Sequence, residues 1–120
     1  MDYLSQFPFF ITVFPVGLVF WILGFYFVNH PPKKINPLMG YRTPRSMKNQ
    51  ESWDFAQIYS SELFKKYGAL MMFVSFLDFF MPAIGAGTKV SLGVVAVIIP
   101  IAYIIYQTER TLKEKFGDKK

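Results

Sequence analysis

The chain has 120 residues, of which 52% are apolar and 19% aromatic, and its formal net charge is +5 at pH 7. A soluble domain of this size could not bury so much apolar surface, so the composition indicates a membrane protein with one domain, residues 1–120. The chain has no cysteine and one histidine, His30, which excludes thiolate sites and argues against a metal or haem site built on imidazoles. We therefore expect no cofactor and no metal.

Three apolar segments predict three transmembrane helices, and the expected fold class is an all-α membrane protein. The first segment, residues 7–28, carries no charge. At about 1.5 Å per residue it is long enough to cross a hydrocarbon core of about 30 Å. Residues 67–85 form the second segment and residues 90–106 the third. The short turn between these two predicts an antiparallel helical hairpin.

Two features of these segments leave alternatives open. Gly17 and Gly24 share a face of the first segment, where they either admit a neighbouring helix closely or reflect the ordinary tolerance of glycine in membrane helices. Asp78 is the only ionisable residue within a predicted span. It is either a contact for a cationic peptide, a proton acceptor, or a carboxylate near the outer interface that water or Lys89 reaches.

Lys and Arg residues are distributed unevenly over the predicted loops. The loop of residues 29–66 carries seven, the tail of residues 107–120 carries five, and the loop between the second and third segments carries only Lys89. The positive-inside rule then predicts a multi-pass protein of the bacterial plasma membrane, with the N-terminus outside and the long loop and tail in the cytoplasm. Since topology accounts for the basic residues, we expect no nucleic-acid partner.

The long loop is expected to be an ordered cytoplasmic motif followed by an amphipathic helix. Thr43 with Pro44 is typical of a helix start, and Asn49 is a second candidate cap. Spacings of three and four then place five residues on one helical face: Trp53, Ala56, Ser60, Leu63 and Tyr67. We expect this helix to pack against lipid headgroups, the spans or a partner, and it could run directly into the second span.

Basic residues are concentrated in the turn before this helix. Guanidinium groups such as those of Arg42 and Arg45 can bind a phosphate through two parallel hydrogen bonds. The turn is therefore either a site for a lipid phosphate or an acidic peptide group, or a solvated positive patch that touches anionic headgroups without specificity.

The motif resembles that of the SdpI family of small bacterial membrane proteins. The matching residues are Asn36, Gly40-Tyr41-Arg42-Thr43-Pro44, Lys48-Asn49, Trp53 and Gly68. The resemblance implies an immunity protein that protects a cell from a secreted toxic peptide and can hold a transcriptional repressor at the membrane. Eight residues become candidate binding or motif residues: Asn36, Gly40, Arg42, Thr43, Pro44, Arg45, Asn49 and Trp53.

The leading hypothesis is an SdpI-like immunity or resistance protein that acts by binding, with a signalling role left open. The alternative is a lipid-binding or envelope-stress accessory protein that recognises anionic lipid phosphate. The sequence shows no nucleophile beside a base, no paired-carboxylate site and no P-loop, so we expect no catalytic residues and no enzyme. The expected partners are membrane lipids and either a toxic peptide or a cytoplasmic regulator, and a homo-oligomer is compatible with the sequence.

Overall fold

The computed structural model describes residues 6–36, 38 and 40–116. These residues form three α-helices, α1 (Pro8–Asn29), α2 (Gln50–Ser75) and α3 (Ala86–Phe116), and a 3-10 helix, Phe76–Phe80, continues directly from α2. The described residues contain no strand, which confirms the all-α class. The end of the predicted tail, residues 117–120, lies outside the described part of the chain.

α1 and α3 are each long and apolar enough to cross a membrane. α1 begins with Pro8, where a missing N–H is harmless in the first turn, and ends before the Pro31-Pro32 pair. α3 contains the predicted third span but continues to Phe116, so most of the predicted tail extends the same helix. Much of the apolar surface points outward; Ile98 and Ile99, for example, are 55% and 60% exposed. This distribution suits lipid contact rather than a water-soluble fold.

The predicted second span, residues 67–85, is not a helix of its own. Its first part and the predicted amphipathic helix are one continuous helix, α2, because no proline interrupts the chain between Gln50 and Ser75. The first half of α2 carries charged residues, so of the helices in the described residues only two, not three, meet the length and apolarity of a span. Beyond Ser75 the backbone tightens into the 3-10 helix, which ends before Pro82.

The contacts at the two ends of the bundle establish the direction of each helix. Asp78, just past α2, accepts a hydrogen bond from the backbone N–H of Phe10 in the first turn of α1 and pairs with Lys89 in the first turn of α3. The loop before α2 instead contacts the far end of α3, where Tyr41 donates to Glu109. α1 and α3 therefore run parallel, and α2 runs antiparallel to both.

Glycines bring α1 and α2 into close contact. A Cβ placed on Gly24 would lie 2.5 Å from the backbone nitrogen of Lys65, and one on Gly68 would lie 2.6 Å from the carbonyl oxygen of Gly17. No side chain fits at these distances, so the close-approach interpretation of Gly17 and Gly24 is the right one. A small buried cluster of Phe9, Val13 and Met71 continues this interface toward the start of α1.

Candidate functional site

The motif begins with a turn that only glycine suits. Gly40 has a φ of +94°, a conformation that residues with a side chain rarely adopt, and a Cβ there would collide with Oε1 of Gln57. The side chain of Gln57 is fully buried and hydrogen-bonds to both backbone groups of Tyr41, the residue after Gly40. Its Oε1 accepts from the Tyr41 N–H at 2.7 Å, and its Nε2 donates to the Tyr41 carbonyl at 2.8 Å. This pairing fixes the loop on the first half of α2.

Thr43 starts a single turn rather than a helix. Its Oγ1 accepts from the Ser46 N–H at 3.1 Å, while Oγ of Ser46 accepts from the Thr43 N–H at 2.9 Å. Pro44 occupies the first position of this turn, which ends at residue 47. The helix itself starts at the second predicted cap, where Asn49 Oδ1 accepts from the Ser52 N–H at 2.8 Å. The prediction of a helix start at Thr43 thus holds for one turn only.

Three side chains of the motif bind the carboxylate of Glu109 in α3. Its Oε2 accepts from the Tyr41 hydroxyl at 2.7 Å and from the Thr43 hydroxyl at 2.6 Å. Arg45 pairs with its Oε1 at 3.4 Å. A carboxylate can only accept, so two hydroxyls and a guanidinium are suitable partners. Burial, and next the neighbouring Glu109, raise the pKa of Tyr41 well above its ordinary value, which keeps this hydroxyl a donor.

Trp53 holds the segment that leaves α1. The indole is fully buried, and its Nε1 donates to the carbonyl of Pro32 at 2.7 Å. One turn earlier, the Gln50 amide donates to the carbonyl of Lys33, also at 2.7 Å. The start of α2 therefore holds the segment between α1 and the motif through Trp53 and Gln50, and it holds the motif itself through Gln57.

The remaining predicted motif residues lie apart from the Glu109 cluster. Asn36 bonds locally, donating to the Lys34 carbonyl at 2.8 Å and accepting from the Leu38 N–H at 2.9 Å, as in an Asx turn. Arg42 is exposed and has no hydrogen bond or ion pair to any residue that the structure describes. The two predicted phosphate-binding arginines thus differ, since Arg45 is already paired with Glu109.

Asp78 lies at the opposite end of the bundle from the motif. Its side chain is fully buried, and Oδ1 is 2.8 Å from Nζ of Lys89, which is also buried. Oδ2 accepts the Phe10 N–H at 2.9 Å, so the carboxylate also sits on the N-terminus of α1, where a negative charge is stabilised. Of the alternatives for Asp78, the structure shows the pairing with Lys89.

Three residues of the motif network were missed by sequence reasoning: Ser46, Gln57 and Glu109. Gln57 had a usable signal, because it lies four residues after Trp53 and so shares its helical face. Ser46 lies three residues after Thr43, a spacing typical of reciprocal side-chain-to-backbone bonds. Glu109 had no local signal, since its partners lie 64 or more residues earlier in the chain.

Comparison with protein families identifies the family of the chain. Residues 33–113 match the family model of the SdpI/YfhL protein family, which is more than half of the sequence and includes the motif, α2 and most of α3. The chain belongs to the SdpI/YfhL family. This is a family of immunity-type membrane proteins rather than of enzymes, and the two apolar helices agree with a place in the membrane.

A short stretch also resembles one curated relative. Over 33 residues the chain is 54% identical to the uncharacterized protein YfhL of Bacillus subtilis (strain 168), and this match spans 28% of the present chain and 30% of that relative. No solved structure matches the chain. Membership of the SdpI/YfhL family therefore rests on the family model over residues 33–113.

Proposed function

We propose that this chain is an immunity or resistance protein that protects a bacterial cell against a toxic secreted peptide by binding. The observation that carries the proposal is the family match over residues 33–113, because it covers the folded motif together with the helices that the motif holds. The supporting chemistry is that of a binding protein: the polar groups of the motif are mostly used in fixing its own shape.

The proposed topology has three crossings, with the N-terminus outside. α1 and α3 run parallel, so two helices that cross in the same direction require the chain between them to return across the membrane. α2, with its charged first half at the motif end, provides this return together with the 3-10 helix that continues it to Phe80. The motif loop and the tail hold twelve of the thirteen Lys and Arg residues, which favours the cytoplasm for that end.

In this orientation a peptide that arrives from outside first meets the end of the bundle that carries Asp78. Phenylalanine rings crowd there, with centroids of Phe7 and Phe79 only 4.5 Å apart. Nearby, Phe80 and Phe73 are 80% and 76% exposed. Aromatic side chains, Phe among them, are enriched in the buried cores of protein interfaces. We assign peptide contact to this aromatic end.

The motif has a different role in the proposal. Thr43, Asn49 and Trp53 shape the loop and the start of α2, and in this way they organise the bundle from the cytoplasmic side. Because Lys89 already compensates the charge of Asp78, that carboxylate serves to hold the outer end together rather than to bind a cationic toxin.

A survival assay tests the proposal. Sensitive bacteria that express the full chain are challenged with the secreted peptides encoded beside its gene, and the peptide concentration they tolerate is measured. Phe80→Ala should lower that concentration about tenfold, whereas Phe25→Ala, an exposed phenylalanine near the motif end, should leave it unchanged. Immunoblots of the membrane fraction verify equal amounts of each variant. No protection by the unaltered chain against any of these peptides would contradict the proposed immunity.

A further inference from the structure

A cavity of about 470 Å³ lies beneath the motif, between the three helices. Its walls are mainly apolar. The lining includes Leu23 and Phe27 of α1, Phe64 of α2, Ile101 and Ile105 of α3, and Arg42 of the motif. Its volume is within the range of about 300–1,000 Å³ that small-molecule sites occupy. The motif therefore covers an apolar space large enough for a ligand.

Arg42 is the one charged residue among those that line the cavity. The other polar groups of the motif there are engaged, since Tyr41 and Thr43 both donate to Glu109. Arg45, the other arginine of this turn, is also paired with Glu109. Arg42 alone keeps an exposed guanidinium with no hydrogen bond or ion pair in the described residues. The cavity thus combines apolar walls with one uncompensated positive charge.

The position of this charge narrows the choice of ligand. The motif follows the end of α1, a helix long and apolar enough to span a membrane, so Arg42 lies at the level where lipid headgroups are found. A guanidinium binds phosphate through two parallel hydrogen bonds. A ligand that fits must therefore carry an apolar chain and an anionic phosphate in one molecule, and it must be available at this depth.

We propose that the cavity holds one anionic phospholipid, with an acyl chain between α1 and α3 and its phosphate on Arg42. Free phosphate would leave the apolar walls unoccupied, and a neutral hydrocarbon would leave Arg42 unpaired. The lipid would fill the space beneath the motif, and its phosphate would compensate the positive charge of Arg42. The proposal goes beyond the immunity function and does not depend on it.

Native mass spectrometry of the full chain tests the proposal. The protein is released from detergent micelles that contain equal amounts of phosphatidylglycerol and phosphatidylcholine with the same acyl chains. The unaltered chain should retain phosphatidylglycerol preferentially. Arg42→Ala should reduce that retention about tenfold. Arg110→Ala removes an equally basic, exposed side chain that pairs with Glu114 away from the cavity, and it should leave the retention unchanged.

A second variant tests the cavity apart from the charge. Ile101→Trp fills the space while Arg42 stays in place, and it should displace phosphatidylglycerol and phosphatidylcholine alike. Circular dichroism and gel filtration verify that each variant folds; if Arg42→Ala does not, Arg42→Gln takes its place. Retention of phosphatidylglycerol by Arg42→Ala at the level of the unaltered chain would overturn the proposal. So would undiminished retention by Ile101→Trp, or a co-purified peptide mass in place of the lipid.

Discussion

A carboxylate holds each end of the bundle, but the two do so in different ways. Asp78 is fully buried, and a single side chain, Lys89, compensates its charge. Glu109 is 29% exposed in its side chain and shares its charge among two hydroxyls and the guanidinium of Arg45. The Asp78 end therefore depends on one charged side chain, whereas at the motif end three side chains share the interaction with Glu109. Loss of one group should be severe at the first end and moderate at the second.

The largest effect is expected from Lys89→Met. This change leaves a buried, uncompensated carboxylate, which costs about 3–5 kcal/mol of the free energy of unfolding. Titration of the protein with SDS in mixed micelles, followed by circular dichroism, measures that energy.

Two further variants verify the cause. The double change of Asp78→Leu with Lys89→Met removes both charges and should recover most of the loss. Thr88→Val alters an exposed neighbour and should change little. If Lys89→Met lowers stability by less than about 1 kcal/mol, the Asp78 end does not depend on this one partner, and the contrast between the two ends fails.

A smaller effect is expected from Gln57→Ala at the motif end. Both hydrogen bonds to the backbone of Tyr41 are lost, at a cost of about 2 kcal/mol. The loop should detach while α2 remains helical, so trypsin should cleave after Arg42 faster than in the unaltered chain. The matched control is Glu51→Gln, which alters an exposed side chain of the same helix away from Tyr41. Equal cleavage rates in Gln57→Ala and the unaltered chain would show that Gln57 does not anchor the loop.

The smallest effect is expected from Tyr41→Phe, which removes one of the three donors to Glu109 and costs about 1 kcal/mol at neutral pH. Alkaline pH sharpens the test. The pKa of Tyr41 is raised in the folded protein, so above its ordinary value of about 10 the unfolded chain loses this proton while the folded chain keeps it. Stability therefore falls as pH rises through this range, and Tyr41→Phe should lack that contribution.

Urea or SDS titrations between about pH 9 and pH 11 measure the free energy of unfolding of Tyr41→Phe and of the unaltered chain. The difference between the two gives the contribution of the Tyr41 hydroxyl, because the titration of the lysines is common to both and cancels. Tyr26→Phe serves as the control, because Tyr26 is 52% exposed. A pH dependence that is the same in Tyr41→Phe and the unaltered chain would contradict the burial of the Tyr41 hydroxyl.

Local features of the structure could be predicted from the sequence, and distant contacts could not. The apolar runs give α1 and the core of α3, and the Asn49 cap follows from residue type and position. The continuity of α2 was left open by the sequence, because the change from an amphipathic to an apolar pattern near Tyr67 resembles a boundary between loop and span. The pairing of Thr43 with Glu109 joins residues 66 positions apart, and no periodicity or spacing encodes such a contact.

The distance in sequence between the motif and Glu109 also imposes an order on biosynthesis. Thr43 leaves the ribosome long before Glu109, which is made 66 residues later, and chains fold progressively from the N-terminus as they are made. Gln57 can fix Tyr41 on α2 early, but the bonds of Tyr41, Thr43 and Arg45 to Glu109 must wait until α3 lies beside α1. A polypeptide stopped before Glu109 would therefore leave Arg45 without this carboxylate.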